Sequence, residues 1–263
     1  MNRSSYYKWL HRKEEVNQED EWIKDTILNF HVLFNGILGY GRMTLFINRI
    51  YEMGYNIKRI HRHMRELGVT SAIRRKKKNY LRYKPEQVGK NVLNREFIAT
   101  KPNEKWLTDV TEYKIIGSQK KLYLSAILDL YDNSIIAYRT GTSNNNNLVF
   151  NTFDDAIKAH PECEDILFHS DRGFQYTNRV FKRKLDDNKF IQSMSRVGRC
   201  IDNGPMEAFW GVMEVEMYKL NKFYSIEQLK MAIEEYIIFY NNHRYQPVLK
   251  GLTPMELRNQ ALT

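Results

Sequence analysis

Trp106-Leu107-Thr108-Asp109-Val110-Thr111-Glu112-Tyr113, followed by Leu122-Tyr123-Leu124-Ser125-Ala126-Ile127-Leu128-Asp129-Leu130, decides the fold of this 263-residue chain. The first stretch predicts a strand over 106–116, turned at Gly117-Ser118. The second predicts a buried strand, and residues 134–139 a third. Strands joined by such short turns pair antiparallel. Signals then alternate: a helix over 148–159, a strand over 166–168, a helix over 177–188 and a short strand over 190–194. Helices over 206–219 and 226–241 follow. This order predicts an α/β fold, a mixed five-stranded sheet with helices on both faces.

Three acids stand at critical places in that layout. Asp109 falls midway along the first strand, Asp171 just past the fourth, and Glu207 on the first turn of a helix that Pro205 helps to start. A carboxylate inside an apolar strand costs several kcal/mol unless a cation or hydrogen bonds compensate it. If strands one and four are neighbours, the two aspartates meet at one edge of the sheet. Taken singly, each acid has a plain alternative: a hydrogen-bonded strand residue, a turn residue, and a helix-start charge favoured by the dipole. Taken together they suit hard divalent cations bound through oxygen. Two such ions assist displacement at a phosphodiester. Among the other polar groups, Asp129 reads as structural, Asp202 as a turn-former and His169 as a packing residue. Glu112 lies about 7 Å beyond Asp109 on the same strand face, too far to share its site. His61 and His63 read as facing solvent or DNA.

Charge is unevenly spread. Residues 1–99 hold 20 Lys+Arg against 10 Asp+Glu, whereas residues 100–263 balance at 21 of each. Between Lys58 and Lys90 lie twelve basic residues and two acidic ones. Such a stripe is the footprint of a polyanion partner. Upstream, residues near 22–34 carry helical spacing, a second helix is predicted over 42–53 with Gly54 as its stop, and Asn56 caps a third over 57–67. The third turns Ile57, Ile60, Met64 and Leu67 inward and Lys58, Arg59, Arg62 and Arg65 outward. Two short helices around a turn, the second basic, fit a helix-turn-helix or a plain helical packing module. These four residues, with Arg74, Arg75, Lys76, Lys77 and Lys78, are the candidate DNA contacts. The domains predicted are a helical region over 1–69, a basic linker over 70–99 and a core over 100–263. No run of eighteen apolar residues or signal-peptide core occurs, so neither a membrane span nor export is expected. Cys163 and Cys200 make no metal-type pair and are expected as idle thiols in a reducing cytoplasm.

Four segments carry a resemblance. They are Trp106 to Glu112; His169-Ser170-Asp171-Arg172-Gly173-Phe174-Gln175-Tyr176; Met194 through Asp202-Asn203-Gly204-Pro205-Met206-Glu207; and Tyr240-Asn241-Asn242-His243-Arg244-Tyr245-Gln246-Pro247 with Leu252-Thr253-Pro254-Met255-Glu256. In order and spacing these resemble transposases of the insertion-sequence-three family, second-frame type, within the retroviral-integrase superfamily. Ser4-Ser5-Tyr6-Tyr7-Lys8-Trp9-Leu10 resembles the same frame. The resemblance implies a ribonuclease-H-like core and an Asp109, Asp171, Glu207 triad holding two Mg²⁺ or Mn²⁺ ions. It implies metal-dependent strand cleavage and strand transfer at the ends of an insertion sequence, in the bacterial cytoplasm at the nucleoid. The partners implied are DNA, further copies of the chain in a multimer on DNA, and a first-frame protein. A catalytically impaired, repressor-like DNA-binding remnant is the alternative. One position departs: family members usually carry Lys or Arg seven residues after the glutamate, and this chain has Glu214. A repulsive charge beside DNA is expected there, so Glu214→Lys should raise strand transfer severalfold in a joining assay; an unchanged rate removes the idea.

Overall fold

The computed structural model describes residues 17–72, 90–196 and 200–262. The chain divides into two compact units, 1–77 and 78–263.

In the first unit three helices enclose a small apolar core. Helix α1 (Gln18–Leu33) starts at Asn17, whose side chain accepts from the Glu19 amide, and carries Glu19, Asp20 and Glu21 in its first turn, where the helix dipole favours them. Helix α2 (Tyr40–Ile50) and helix α3 (Ile57–Glu66) follow. Asn56 caps α3 as predicted, accepting from the Lys58 amide at 2.8 Å. Ile23, Ile27, Met43, Phe46, Ile47, Ile60 and Met64 fill the interior. Gly54 is not the residue that turns the chain after α2. Glu52 takes the left-handed conformation (φ 54°), and Asn48 ties the turn by a reciprocal pair of hydrogen bonds with the Tyr55 backbone. Ile57 is exposed rather than inward.

The second unit is a five-stranded sheet in the order β3-β2-β1-β4-β5. Its strands are β1 (Lys105–Lys114), β2 (Lys121–Asp129), β3 (Ile135–Gly141), β4 (Leu167–Ser170) and β5 (Ile191–Met194). β1, β2 and β3 pair antiparallel, while β4 joins β1 in parallel and β5 joins β4 in parallel. Successive side chains of β1 enter opposite layers. Leu107 lies under α6 (Gly204–Met213) and α7 (Ile226–Asn242) with Phe209, Met213, Leu229 and Ile233. Trp106 lies under α4 (Asn146–Ala159) and α5 (Arg179–Asp187) with Phe153, Phe168 and Phe181. Helices on both faces of a mixed sheet give the ribonuclease-H-like architecture that the sequence implied.

Three features differ from the sequence reading. The helix predicted over 206–219 ends at Met213 and passes into a π turn, Glu214–Tyr218, closed by the Lys219 amide on the Glu214 carbonyl at 2.8 Å. The wider turn carries Glu216 into the interior, where Arg244 binds it through two nitrogens at 2.9 Å and the Tyr236 hydroxyl donates at 3.0 Å. Residues 90–99, placed in the linker by sequence, include a stretch fastened to the core. Leu93 is buried, and the Val92 and Leu93 amides both donate to the Ser193 hydroxyl at 3.0 Å. Finally, helix α8 (Pro254–Leu262) is anchored by buried Arg258 to Asp129 at 2.6 Å and Asp132 at 2.7 Å.

Candidate active site

β1 and β4 run side by side with Leu107 opposite His169. That is the last pair of the parallel ladder: Asp109 lies two residues further along β1, and Asp171 just past the end of β4, one residue after Ser170. Asp109 is half-buried. Its Oδ1 accepts from the Val110 amide at 2.8 Å and its Oδ2 from the Trp210 indole N–H at 3.1 Å. Trp210 follows Glu207 by three residues on α6, and side chains so spaced share a helix face. The indole contact therefore turns the Glu207 face of α6 toward Asp109. Asn203, at the start of α6, donates to the Thr108 carbonyl at 3.1 Å and fastens the helix beside the same strand position.

Electrostatics give the same neighbourhood. Burial, then the charge of Asp171, and more weakly that of Glu207, push the Asp109 carboxyl up to about 7. Asp171 opens to solvent, yet the protein around it raises its carboxyl too, against the Gly173 amide that donates to it at 2.8 Å. A Cβ at Gly173 would stand 3.0 Å from the Asp171 Oδ1 and 3.0 Å from the Gln175 Oε1, so a side chain there would press on the Asp171 carboxylate. Beneath the pair, buried Tyr176 lies 3.2 Å from the Thr108 hydroxyl. That hydroxyl donates to the Ala126 carbonyl, which leaves the tyrosine as donor.

Among the described residues no Lys, Arg or His forms an ion pair with Asp109, Asp171 or Glu207. Asp109 feels the charges of both Asp171 and Glu207, and carboxylates without a cationic partner suit a hard divalent ion. As they lie, no three His, Cys, Asp or Glu side chains among the described residues are gathered closely enough to hold one. The raised Asp109 carboxyl is testable. The folded state holds the Asp109 proton more tightly than an unfolded chain, whose aspartate titrates near 3.8, so this group contributes less stability as pH rises from about 4 to 7. In chelator, the difference in melting midpoint between Asp109→Asn and the parent should shift in the variant's favour across that window. A pH-independent difference would contradict an Asp109 carboxyl raised by burial and by the neighbouring charge of Asp171.

His169 is buried with its ring nitrogens 2.8 Å and 3.0 Å from the Ser193 and Ser195 hydroxyls, and burial pushes it down to about 4. Asp129 is buried under Arg258, and Glu112 pairs with Lys121 at 3.0 Å. Asp202 is more than a turn-former. Fully buried, it binds Arg95 at 2.7 Å, Arg196 through two nitrogens and Asn91 at 3.1 Å, and these guanidinium hydrogen bonds hold its carboxyl far below the usual range. Glu214 pairs with Lys219 at 2.9 Å. Trp210, Asn203 and Arg95 were missed; the three-residue step from Glu207 was the one visible signal for Trp210.

In the helical unit Lys58, Arg62 and Arg65 are exposed on α3, Arg62 with Asp20 at 3.4 Å and Glu66 at 3.7 Å, whereas Arg59 is bound more closely to Glu19 at 2.6 Å and Asp20 at 2.7 Å. His63 does not face solvent: it is buried, 3.1 Å from Asp20 and 3.2 Å from Glu66. His61 is exposed beside the Tyr40 ring. Arg74, Arg75, Lys76, Lys77 and Lys78 lie outside the described residues, as does the segment 4–10. Cys163 is a half-buried free thiol raised by burial. No described helix is long and apolar enough to cross a membrane.

Known proteins match along nearly the whole chain. Residues 99–200 and 207–262 match the integrase core domain, and residues 17–77 an HTH-like domain. The putative transposase InsK for insertion sequence element IS150 of Escherichia coli K12 is 40% identical over 98% of this chain and 90% of its own length. An uncharacterized transposase-like protein of Haemophilus influenzae is 41% identical over 79% of this chain and 94% of its own. Transposase InsF of insertion sequence IS3A from E. coli is 25% identical over 99% and 91%. Among solved structures, the simian T-cell lymphotropic virus intasome, in complex with a PP2A regulatory subunit, aligns with a TM-score of 0.50. It is 15% identical and covers 88% of this chain and 74% of that one, a likeness of fold.

Proposed function

This chain belongs to the insertion-sequence transposases of the IS150 and IS3 kind, within the integrase-type polynucleotidyl transferases, and from that premise we propose that it cuts and joins DNA at Asp109, Asp171 and Glu207 with divalent metal. What supports this reading is the parallel pairing of β1 with β4, with Asp109 on β1 and Asp171 just past β4, the charge of Asp171 felt at Asp109, and α6 turned toward Asp109 by the Trp210–Asp109 hydrogen bond. Asp109, Asp171 and Glu207 would hold two Mg²⁺ or Mn²⁺ ions, which supply activation of the attacking oxygen and stabilisation of the leaving 3′-oxygen. The chain's own part is to hold these acids at fixed places. Asp109 is set by the Val110 amide and the Trp210 indole, Asp171 by the Gly173 amide, and Glu207 by the Asn203 anchor at the start of its helix.

Lys58, Arg62 and Arg65 on α3 are the proposed DNA contacts of the helical unit, joined by the basic run Arg74 to Lys78. Arg59 serves first as the brace between α3 and the acidic start of α1. Assembly as a multimer on DNA, with a first-frame partner, completes the proposal. The deciding experiment is nicking of DNA that carries the element's ends. Activity with Mg²⁺ that a chelator abolishes supports a strand-transfer enzyme; binding without nicking supports the repressor-like remnant.

A further inference from the structure

A cavity of about 360 Å³ opens beside β5 and α5, lined by Lys90, Arg179, Lys182, Thr177, Gln192 and Met194, with Tyr176 also at its wall. No acid lines it. Lys182 pairs with Asp186 one turn along α5, whereas Lys90 and Arg179 form no ion pair among the described residues. The walls are fixed. The Lys90 carbonyl accepts from the Met194 amide at 3.2 Å, which pins the root of that lysine on β5. The Gln192 side chain donates to the Tyr176 carbonyl at 3.0 Å and joins β5 to the loop that follows Asp171. Arg179 opens α5 just after its Asn178 cap, so the positive end of a nine-residue helix adds to the same field.

We infer that this cavity takes a phosphodiester group of DNA, so that the strand approaching Asp171 is gripped on the β5 side of the sheet. The inference rests on the transposase reading for the identity of the polyanion. The ligand chemistry itself follows from three cations around a site without acids. A phosphate seated there is held by residues of the Asp171–Thr177 turn and of β5 together. Its backbone contact carries no base preference and so adds affinity for any sequence.

The test is the salt dependence of duplex binding by the full chain in chelator, where cleavage plays no part. Each phosphate that the protein no longer neutralises lowers the slope of log K against log salt by about 0.9. Lys90→Ala with Arg179→Ala is expected to reduce the slope by about 1 and to weaken end-containing and unrelated duplexes alike. Lys90→Arg with Arg179→Lys should keep the parental slope, which separates charge from folding. An unchanged slope in a double-alanine variant that melts like the parent overturns the inference. So does a site for small anions only: inorganic phosphate raising the parent's melting midpoint but not the variant's, with identical DNA slopes. Failure of Mg²⁺-dependent nicking would strike the catalytic reading and leave these slopes readable.

Discussion

Asp171→Asn is expected to abolish strand cleavage while leaving DNA affinity near the parental value. The amide keeps the size of the side chain and can still accept from the Gly173 amide, so the turn survives. What disappears is one negative oxygen of the three carboxylates proposed to hold metal. Removing only a partner that supports a metal ligand typically costs about 10- to 100-fold, and removing a ligand's charge should exceed that. The exposed basic side chains of α3 are untouched. Gel-shift affinity and Mg²⁺-dependent nicking, measured on the same preparation, check both halves. A variant that still cut DNA at a rate within tenfold of the parent would refute the role assigned to Asp171.

Arg258→Ala should strongly destabilise the unit that holds the sheet. Its guanidinium reaches Asp129 at 2.6 Å and Asp132 at 2.7 Å, and both carboxylates are fully buried. Backbone amides of Asn103 and Tyr131 also donate to Asp129, but they supply no positive charge. Deleting one partner of a buried ion pair costs about 3–5 kcal/mol, because the other is left uncompensated. In a unit of this size that lowers the melting midpoint by roughly 6–20 °C. The fall should be smaller in acid, because burial and the charge of Asp132 already raise the Asp129 carboxyl and losing Arg258 raises it further. Thermal unfolding at pH 7 and pH 4 checks both the size and the direction; a loss below about 1 kcal/mol would show the pair to be dispensable.

Sheet and acids were legible because their signals are local. Strand alternation around Asp109 and the apolar run of β2 fix elements to within one or two residues, and the turn at 117–118 fixes the hairpin. The parallel neighbour of β1 was a conditional expectation, and the pairing of Leu107 with His169 supplies it. What escaped was set by distant partners. His63 looks like a surface residue until Asp20, 43 positions earlier, is brought against it. The π turn is invisible in 206–219, and Arg244, which receives the Glu216 it carries inward, lies 28 positions beyond that glutamate. Residues 90–99 read as linker from their polarity, yet Asn91 and Arg95 answer a carboxylate more than a hundred positions away. Gly54 drew the turn assignment by residue type, whereas Asn48 supports the left-handed backbone at Glu52.

The fastening of residues 91–95 bears on where this protein can be cut. Homology to the integrase core begins at residue 99, an inviting place to trim the gene. A chain begun there would shed Leu93 from its apolar seat and strip Arg95 and Asn91 from Asp202, just ahead of the helix that bears Glu207. Its Ser193 hydroxyl would face water where two amides had stood. A trimmed enzyme found inert could thus have lost its brace rather than its chemistry, and cloning boundaries are better set ahead of residue 90.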